Sequence, residues 1–100
     1  MVEASKERYR RIRGMMLKLL VHQHPHPLDA KVLFVLLDDL KYSISDEEFN
    51  SHITYLADKS YVKKDARKTS GVSIDMITIT PDGIDIIDGF RNDCGVDVQF

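Results

Sequence analysis

Three histidines in a short, proline-containing stretch are the first residues whose chemistry could bind a metal. His22, His24 and His26 alternate with other residues, and this spacing of two brings ligands to one side only on a β-strand. Pro25 and Pro27 favour instead a polyproline-like path with a period of three, so the imidazoles are not expected to converge. We therefore predict no metal site here.

The other candidates for chemistry are one cysteine and several aspartates. Cys94 has neither a histidine nor a pair of basic residues near it in the sequence, so its thiol is not expected to act as a nucleophile. The aspartates come without a nucleophile, a glycine-rich phosphate loop or an ordered metal motif. They are Asp38-Asp39, Asp82, Asp85 and Asp88. The sequence predicts no enzyme activity and no cofactor.

The charges are segregated along the chain. The protein has 100 residues and a net charge of −2, a size that fits one globular domain. Residues 1–27 carry a net charge of +4 and residues 61–74 a net charge of +3, whereas residues 28–60 and 75–100 are acidic, at −4 and −5. Because local potential decides where a polyanion is drawn, we expect basic patches on an otherwise acidic body.

Nothing in the sequence indicates a membrane or secreted protein. The longest apolar runs, residues 15–17 and 32–37, are far shorter than the roughly 20 residues that span a bilayer. The N-terminal residues are polar and lack a secretory signal. A single cysteine agrees with a reducing compartment. We expect a cytoplasmic protein without membrane contacts.

Apolar spacing predicts three helices in the first 60 residues. The first runs from Ser5 to about His22, where the proline-rich stretch ends it. The second begins at Asp29, which suits an N-cap. The third begins with a capping box, in which the Ser45 hydroxyl and the Glu48 carboxylate each satisfy a free backbone N–H. Its inward stripe is Phe49, Ile53, Leu56 and Ala57. Its outward face is Glu47, Asn50, Ser51, Thr54, Tyr55 and Asp58.

A β-hairpin and a fourth helix are predicted after Ser60. Two strands are predicted, one that starts at residue 61 and one that ends at residue 80, and they flank a basic loop at residues 66–71. Thr80-Pro81-Asp82 then begins a short helix that closes near residues 89–92. Its apolar stripe is Ile84, Ile87 and Phe90. The end of the chain, Val96 to Phe100, is expected to form a short strand or no ordered structure. We expect one domain over residues 1–92 and a C-terminal tail over residues 93–100.

This element order resembles the winged helix-turn-helix. Residues 53–62, Ile-Thr-Tyr-Leu-Ala-Asp-Lys-Ser-Tyr-Val, are similar to the recognition-helix exit of small bacterial regulators, with Ser60 where glycine is usual. Residues 79–89 resemble the leucine-threonine-x-x-glycine segment that follows the wing in MarR- and PadR-like regulators and in small proteins of Mu-like phages and prophages. The resemblance covers about residues 9–89. It implies an α+β, mostly helical fold with a three-helix core, a β-hairpin wing and a short C-terminal helix.

The resemblance also implies a function and a set of contacts. A small transcriptional regulator of bacterial, archaeal or phage-like source would bind double-stranded DNA by occupying a site, without catalysis. The third helix would enter the major groove through Asn50, Ser51, Thr54 and Tyr55. The wing would contact the backbone or the minor groove through Lys63, Lys64, Arg67 and Lys68. Flanking phosphates would meet Arg10, Arg11 and Arg13 on the exposed face of the first helix.

One feature favours a different class of partner. Asp46, Glu47 and Glu48 place three carboxylates at the start of the third helix, which contains no Lys or Arg before Lys59. These groups stabilise the helix terminus but repel phosphate. The alternative function is therefore a non-catalytic winged-helix adaptor that binds another protein.

A homodimer is expected because a lone domain contacts few phosphates, and two copies would read half-sites about one turn apart. Met15 and Leu17 are apolar but lie outside the inward stripe of the first helix, so they are expected to be available for contact with a second copy. The first helix, the fourth helix and the tail Val96–Phe100 are the surfaces available for the dimer.

Overall fold

Four helices and three strands make up the fold. The computed structural model describes residues 2–99, and their side chains from residue 5 onward. The elements are α1 Val2–Gln23, β1 Leu28–Asp29, α2 Ala30–Asp39, α3 Asp46–Asp58, β2 Val62–Thr69, β3 Val72–Ile79 and α4 Pro81–Asp88. The predicted α+β class, with a helical core, a hairpin and a short last helix, is confirmed. α1 begins three residues before the predicted start.

Three helix starts are set by local side-chain caps, as predicted. The Asp29 carboxylate accepts a hydrogen bond from the backbone N–H of Lys31 at 2.8 Å. The Ser45 hydroxyl accepts one from Glu48 N–H at 3.1 Å, and the Thr80 hydroxyl caps α4 in the same way. Each cap satisfies one of the free N–H groups that a helix leaves in its first turn.

The sheet is antiparallel, with the strand order β1-β3-β2. β2 and β3 pair from Val62↔Ile79 to Thr69↔Val72, so a turn of only two residues, Ser70 and Gly71, joins them. Both turn residues have positive φ, at 52° and 80°, as the tight hairpin turn requires. The predicted loop over residues 66–71 was therefore wrong, because the strand ladder continues through most of it. β1 was not predicted, since a two-residue strand has no periodicity to detect.

The core lies between the helices and one face of the hairpin. α1 contributes Leu17 to it as a fully buried side chain, and Met15 is half-buried against it. The expectation that these two residues are left over for a dimer was wrong, because the tertiary fold covers a wider stripe of α1 than its spacing suggests. The buried apolar side chains are Ile12, Met16, Leu17, Leu20, Leu33, Leu37, Phe49, Ile53, Leu56, Tyr61, Val62, Ile77, Ile79, Ile86 and Val96.

α4 packs two residues of its predicted stripe on the core, but its most buried large side chain is Ile86, which lies outside that stripe. Ile86 is its buried large side chain, whereas Ile84 and Ile87 are half-buried and Phe90 is 82% exposed. The helix ends at Gly89, which adopts the left-handed conformation with φ 83°. The chain turns there, so Phe90 does not continue the helical stripe.

The residues after α4 return to α1. Val96 is buried, and the backbone N–H of Asp97 donates to the carbonyl of Arg10 at 3.0 Å. The approach is so close that a Cβ on Gly14 would lie 1.8 Å from the Asp97 carbonyl oxygen. Residues 93–99, predicted as a tail, thus pack on α1 without forming a strand. Phe100 lies outside the described residues.

Candidate nucleic-acid interface

α3 presents a polar, exposed face opposite its buried one. Ser45 fixes the start of the helix, and the core holds its inner side through Phe49, Ile53 and Leu56. Asn50, Ser51 and Thr54 are exposed. Asn50 and Thr54 stand one turn apart, so their side chains project in the same direction. This face can offer amide and hydroxyl groups to a ligand.

Tyr55 does not share that face. Its hydroxyl donates a hydrogen bond to Asp93 Oδ1 at 2.8 Å, and the guanidinium of Arg13 lies 3.8 Å from the centre of its ring. The ring is half-buried between α1 and the C-terminal segment. The predicted outward orientation of Tyr55 was wrong, because partners far away in the sequence hold its side chain.

Asp93 is the acceptor that joins α3 to the C-terminal segment. Its carboxylate, 8% exposed, accepts hydrogen bonds from Tyr55, from the Tyr61 hydroxyl at 2.5 Å and from Gly95 N–H at 2.7 Å. Burial acts to raise the pKa of Asp93, but these hydrogen bonds outweigh it and hold the pKa below its ordinary value. Burial and the bond to Asp93 raise the pKa of Tyr61 to about 12. Sequence reasoning missed this cluster.

A second polar chain joins α1 to the inner side of α3. Arg13 Nε donates to His52 Nδ1 at 3.1 Å, and His52 Nε2 lies 3.1 Å from Glu48 Oε2. Arg8 donates to the same carboxylate oxygen at 2.8 Å. Burial lowers the pKa of His52 more than the hydrogen bond with Glu48 raises it, and the charge of Arg13 lowers it further. The geometry fits a neutral imidazole that carries its proton on Nε2.

This chain corrects two expectations. The Glu48 carboxylate contacts Arg8 and His52 rather than the Ser45 amide, so only the Ser45 half of the predicted capping box is present. Arg13 is half-buried against Tyr55 and His52, so it is not on an exposed basic face of α1. Both side chains are drawn inward because the buried ring of His52 needs a donor and an acceptor.

The other two arginines of α1 differ from each other. Arg10 is half-buried, and its Nη1 lies 2.5 Å from Glu7 Oε1 within the same helix. Arg11 is exposed. Of the three predicted phosphate contacts on α1, Arg11 has the side chain most open to solvent.

The hairpin separates its four cations into two pairs. Side chains alternate along a strand, so Lys63 and Arg67 share one face of β2, and Lys64 and Lys68 share the other. The face with Lys64 and Lys68 also carries Val62 at the start of β2, where the side chain is buried and the strand packs on the helices. All four cations are exposed. Lys64 has a loose ion pair with Asp75 on β3, at 3.8 Å between Nζ and Oδ2.

The residues considered for metal or thiol chemistry stay on the surface. His22, His24 and His26 are exposed at the end of α1, and Cys94 is exposed. Within residues 2–99 no group of three or more His, Cys, Asp or Glu side chains is arranged to hold a metal ion. No helix in this range is both long enough and apolar enough to cross a bilayer.

Known structures supply the decisive comparison for this arrangement of a capped third helix beside a hairpin. The X-ray structure of a PadR-like transcription factor from Bacteroides fragilis superposes with a TM-score of 0.62, covering 78% of each chain at 14% sequence identity. The chain has the winged-helix fold. In this winged helix, α3 is the third helix of the core and β2–β3 form the hairpin wing, as the resemblance implied. No protein-family model matches the chain, and no curated protein matches it.

Proposed function

We propose that this winged helix is a small transcriptional regulator that binds double-stranded DNA and acts by occupying its site. The observation that carries the proposal is the exposed polar face of α3 beside a hairpin with four exposed cations. The fold match to a transcription factor supports it. We propose no catalytic step, and a regulator of this kind would act in the cytoplasm.

The middle of α3 is the proposed base-reading part. Asn50 can bind an adenine through two hydrogen bonds, and Ser51 and Thr54 can reach base edges or phosphates. Tyr55 is left out of this surface because its hydroxyl already donates a hydrogen bond to Asp93. It contributes by holding the helix against α1.

The wing supplies charge rather than sequence information. Lys64 and Lys68 lie on the face of the hairpin that packs on the helices, so they are the pair proposed to meet phosphates beside α3. Lys63 and Arg67 point to the opposite side. Arg11 is the proposed contact for flanking phosphates.

The first turn of α3 opposes DNA. Asp46 and Glu47 are exposed there, and their carboxylates repel phosphates. The proposed approach therefore centres on the turn from Asn50 to Thr54, one turn further along the helix. Glu47 limits the affinity for every DNA sequence.

Two copies are proposed to bind together. A two-fold dimer reads half-sites about one helical turn apart and doubles the phosphate contacts. Leu17 is buried within one copy, so it is not available for a dimer contact. The apolar side chain that is available lies at the end of α4 and is Phe90. Sedimentation at tens of micromolar should show a dimer that Phe90→Ser converts to a monomer.

Selection from a randomised pool of DNA duplexes tests the DNA proposal. The wild type should enrich a sequence, and Asn50→Ala should lose the preference at one base position while its affinity for random DNA stays nearly the same. Glu47→Gln should strengthen binding to all DNA. Asp88→Asn is the matched control, since it removes one exposed negative charge from α4 rather than from α3.

The contrary result is equally clear. If the wild type enriches no sequence, and Glu47→Gln gains no more affinity than Asp88→Asn, α3 does not read DNA. The adaptor function then remains, and the surface beside α2 is the observation that favours it.

A further inference from the structure

α2 is apolar on its outer side as well as its inner side. Leu33 and Leu37 are buried in the core, yet Val32, Val35 and Leu40 are exposed to solvent. A helix with apolar residues on both sides is normally covered by another element. The described residues leave 45–55% of each of these three residues open to solvent, so a partner is the expected cover.

A groove opens beside Val35. It lies between α2, the start of α3 and β3, and its volume is about 500 Å³. Phe34 and Phe49 line its apolar part, with their rings edge to face and their centroids 5.4 Å apart. Asp46 and Asp75 stand among the polar residues that line it. A groove of this size accepts one or two large apolar side chains.

Carboxylates outnumber cations around the groove: Asp46 and Asp75 line it, Glu47 follows Asp46 on α3, and Asp38 and Asp39 lie one turn after Phe34 and Val35 on α2. Asp38, Asp39, Asp46 and Glu47 are exposed, and none of them has an ion pair with another described residue. Lys31 lines the groove too, Lys64 lies 3.8 Å from Asp75, and Lys41 follows the end of α2. These carboxylates attract a cationic segment and weaken, without preventing, the binding of a polyanion at the neighbouring Asn50.

We propose that this α2–α3 surface docks a cationic amphipathic helix of a partner protein. The partner places apolar side chains against Val35, Phe34 and Phe49, and its Lys and Arg residues lie over the carboxylates of the helix ends. This is the helix-in-groove mode of recognition. The docking itself does not depend on DNA binding.

Docking also has a consequence that does rest on the proposed DNA function. Asn50, the proposed base-reading residue, lines the same groove. A helix seated there covers Asn50, so the partner and DNA exclude each other. The partner then acts as an antagonist of site occupancy.

An NMR titration of the full chain tests the docking. The probe is a synthetic 18-residue amphipathic helix made of Leu and Lys, and a peptide with Glu in place of every Lys is the control. We expect the Leu/Lys peptide to shift the ring signals of Phe34 and Phe49, and the Leu/Glu peptide to leave them unchanged. Val35→Lys should weaken binding at least tenfold. Val72→Lys is the matched variant on the wing, since the two valines are 55% and 56% exposed, and it should change binding less than twofold.

Several results would overturn the docking proposal. These are equal weakening by the two variants, binding of both peptides alike, or shifts that avoid Phe34 and Phe49. A shift of these rings with protein concentration in the absence of peptide, abolished by Val35→Lys, would assign the groove to a second copy instead. A separate competition on the selected DNA tests exclusion. If the peptide binds but does not displace DNA, exclusion fails while docking and DNA binding both stand.

Discussion

Arg13 Nε donates a hydrogen bond to His52 Nδ1 over 3.1 Å, although 39 positions separate the two residues in the chain. The imidazole is 2% exposed and also contacts Glu48 through Nε2. Protonation at Nδ1 replaces the acceptor with a donor and sets a positive ring against a positive guanidinium. The link between α1 and α3 therefore requires a neutral His52.

The first prediction concerns stability in mild acid. The pKa of His52 is lowered from the ordinary value of 6.5 by burial, so the unfolded chain binds a proton at a higher pH than the folded chain does. The free energy of unfolding should therefore fall as the pH drops below 6.5, by on the order of 1 kcal/mol between pH 7.5 and 5.5. Urea unfolding at the two pH values measures this loss.

His52→Gln is the comparison for that measurement. Glutamine keeps an acceptor and a donor but does not titrate, so its stability should change less over the same pH range. His22, His24 and His26 are present in both proteins, so any effect they have on stability cancels in the comparison. Parallel pH profiles of wild type and variant would show that His52 is not the group responsible.

The second prediction concerns the Asp93 carboxylate. Asp93→Asn removes the charge and leaves one of the hydroxyls of Tyr55 and Tyr61 without an acceptor, which should cost about 1–3 kcal/mol of stability. Burial and the hydrogen bond to Asp93 raise the pKa of Tyr61 to about 12, and the loss of the Asp93 charge in the variant should move it toward 10. Ultraviolet titration of tyrosinate follows it. Asp97→Asn is the control, since Gln99 N–H is the donor to its carboxylate, and a similar loss there would contradict the assigned role.

The third prediction concerns the residue that follows α3. Ser60 has φ 65°, a left-handed conformation that costs a side-chain-bearing residue about 1–2 kcal/mol. Ser60→Gly should therefore stabilise the protein by about 0.5–1 kcal/mol after the greater freedom of glycine in the unfolded chain is deducted. Ser51→Gly makes the same exchange within α3 and should destabilise. Thermal unfolding of both variants measures these changes, and a loss of stability in Ser60→Gly would contradict the prediction.

The fourth prediction separates the two faces of the wing and assumes the proposed DNA binding. Replacing Lys64 and Lys68 together by Ala should reduce the slope of log affinity against log salt concentration by the amount that about two phosphate contacts contribute. Replacing Lys63 and Arg67 by Ala should change it little, because these side chains face away from α3. Fluorescence anisotropy at several salt concentrations gives both slopes. Equal slopes for the two double variants would reject the proposed orientation of the wing.

Local chemistry is what made parts of the fold predictable from the sequence. Asp29, Ser45 and Thr80 cap helices through backbone groups two or three residues away, so their roles can be read from short patterns. The exposure of Asn50 and Thr54 follows in the same way from helical spacing and the buried stripe of α3.

Long-range partners explain the errors. Tyr55 turns inward for Asp93, which lies 38 positions further along the chain, and Arg13 turns inward for His52. No spacing rule relates such residues before the fold brings them together. Phe90 shows a different source of error: its stripe was extended past Gly89, where the helix ends.

The strand order leaves β2 as an outer strand of eight residues. Unpaired N–H and C=O groups along such a strand are a template on which another chain can add a strand of its own. This edge strand carries Lys63, Lys64, Arg67 and Lys68. Repulsion between these cations keeps the β2 strands of two copies from pairing side by side. The cations of the wing, which include the pair proposed to meet DNA phosphates, thus also protect the chain against aggregation through its own sheet.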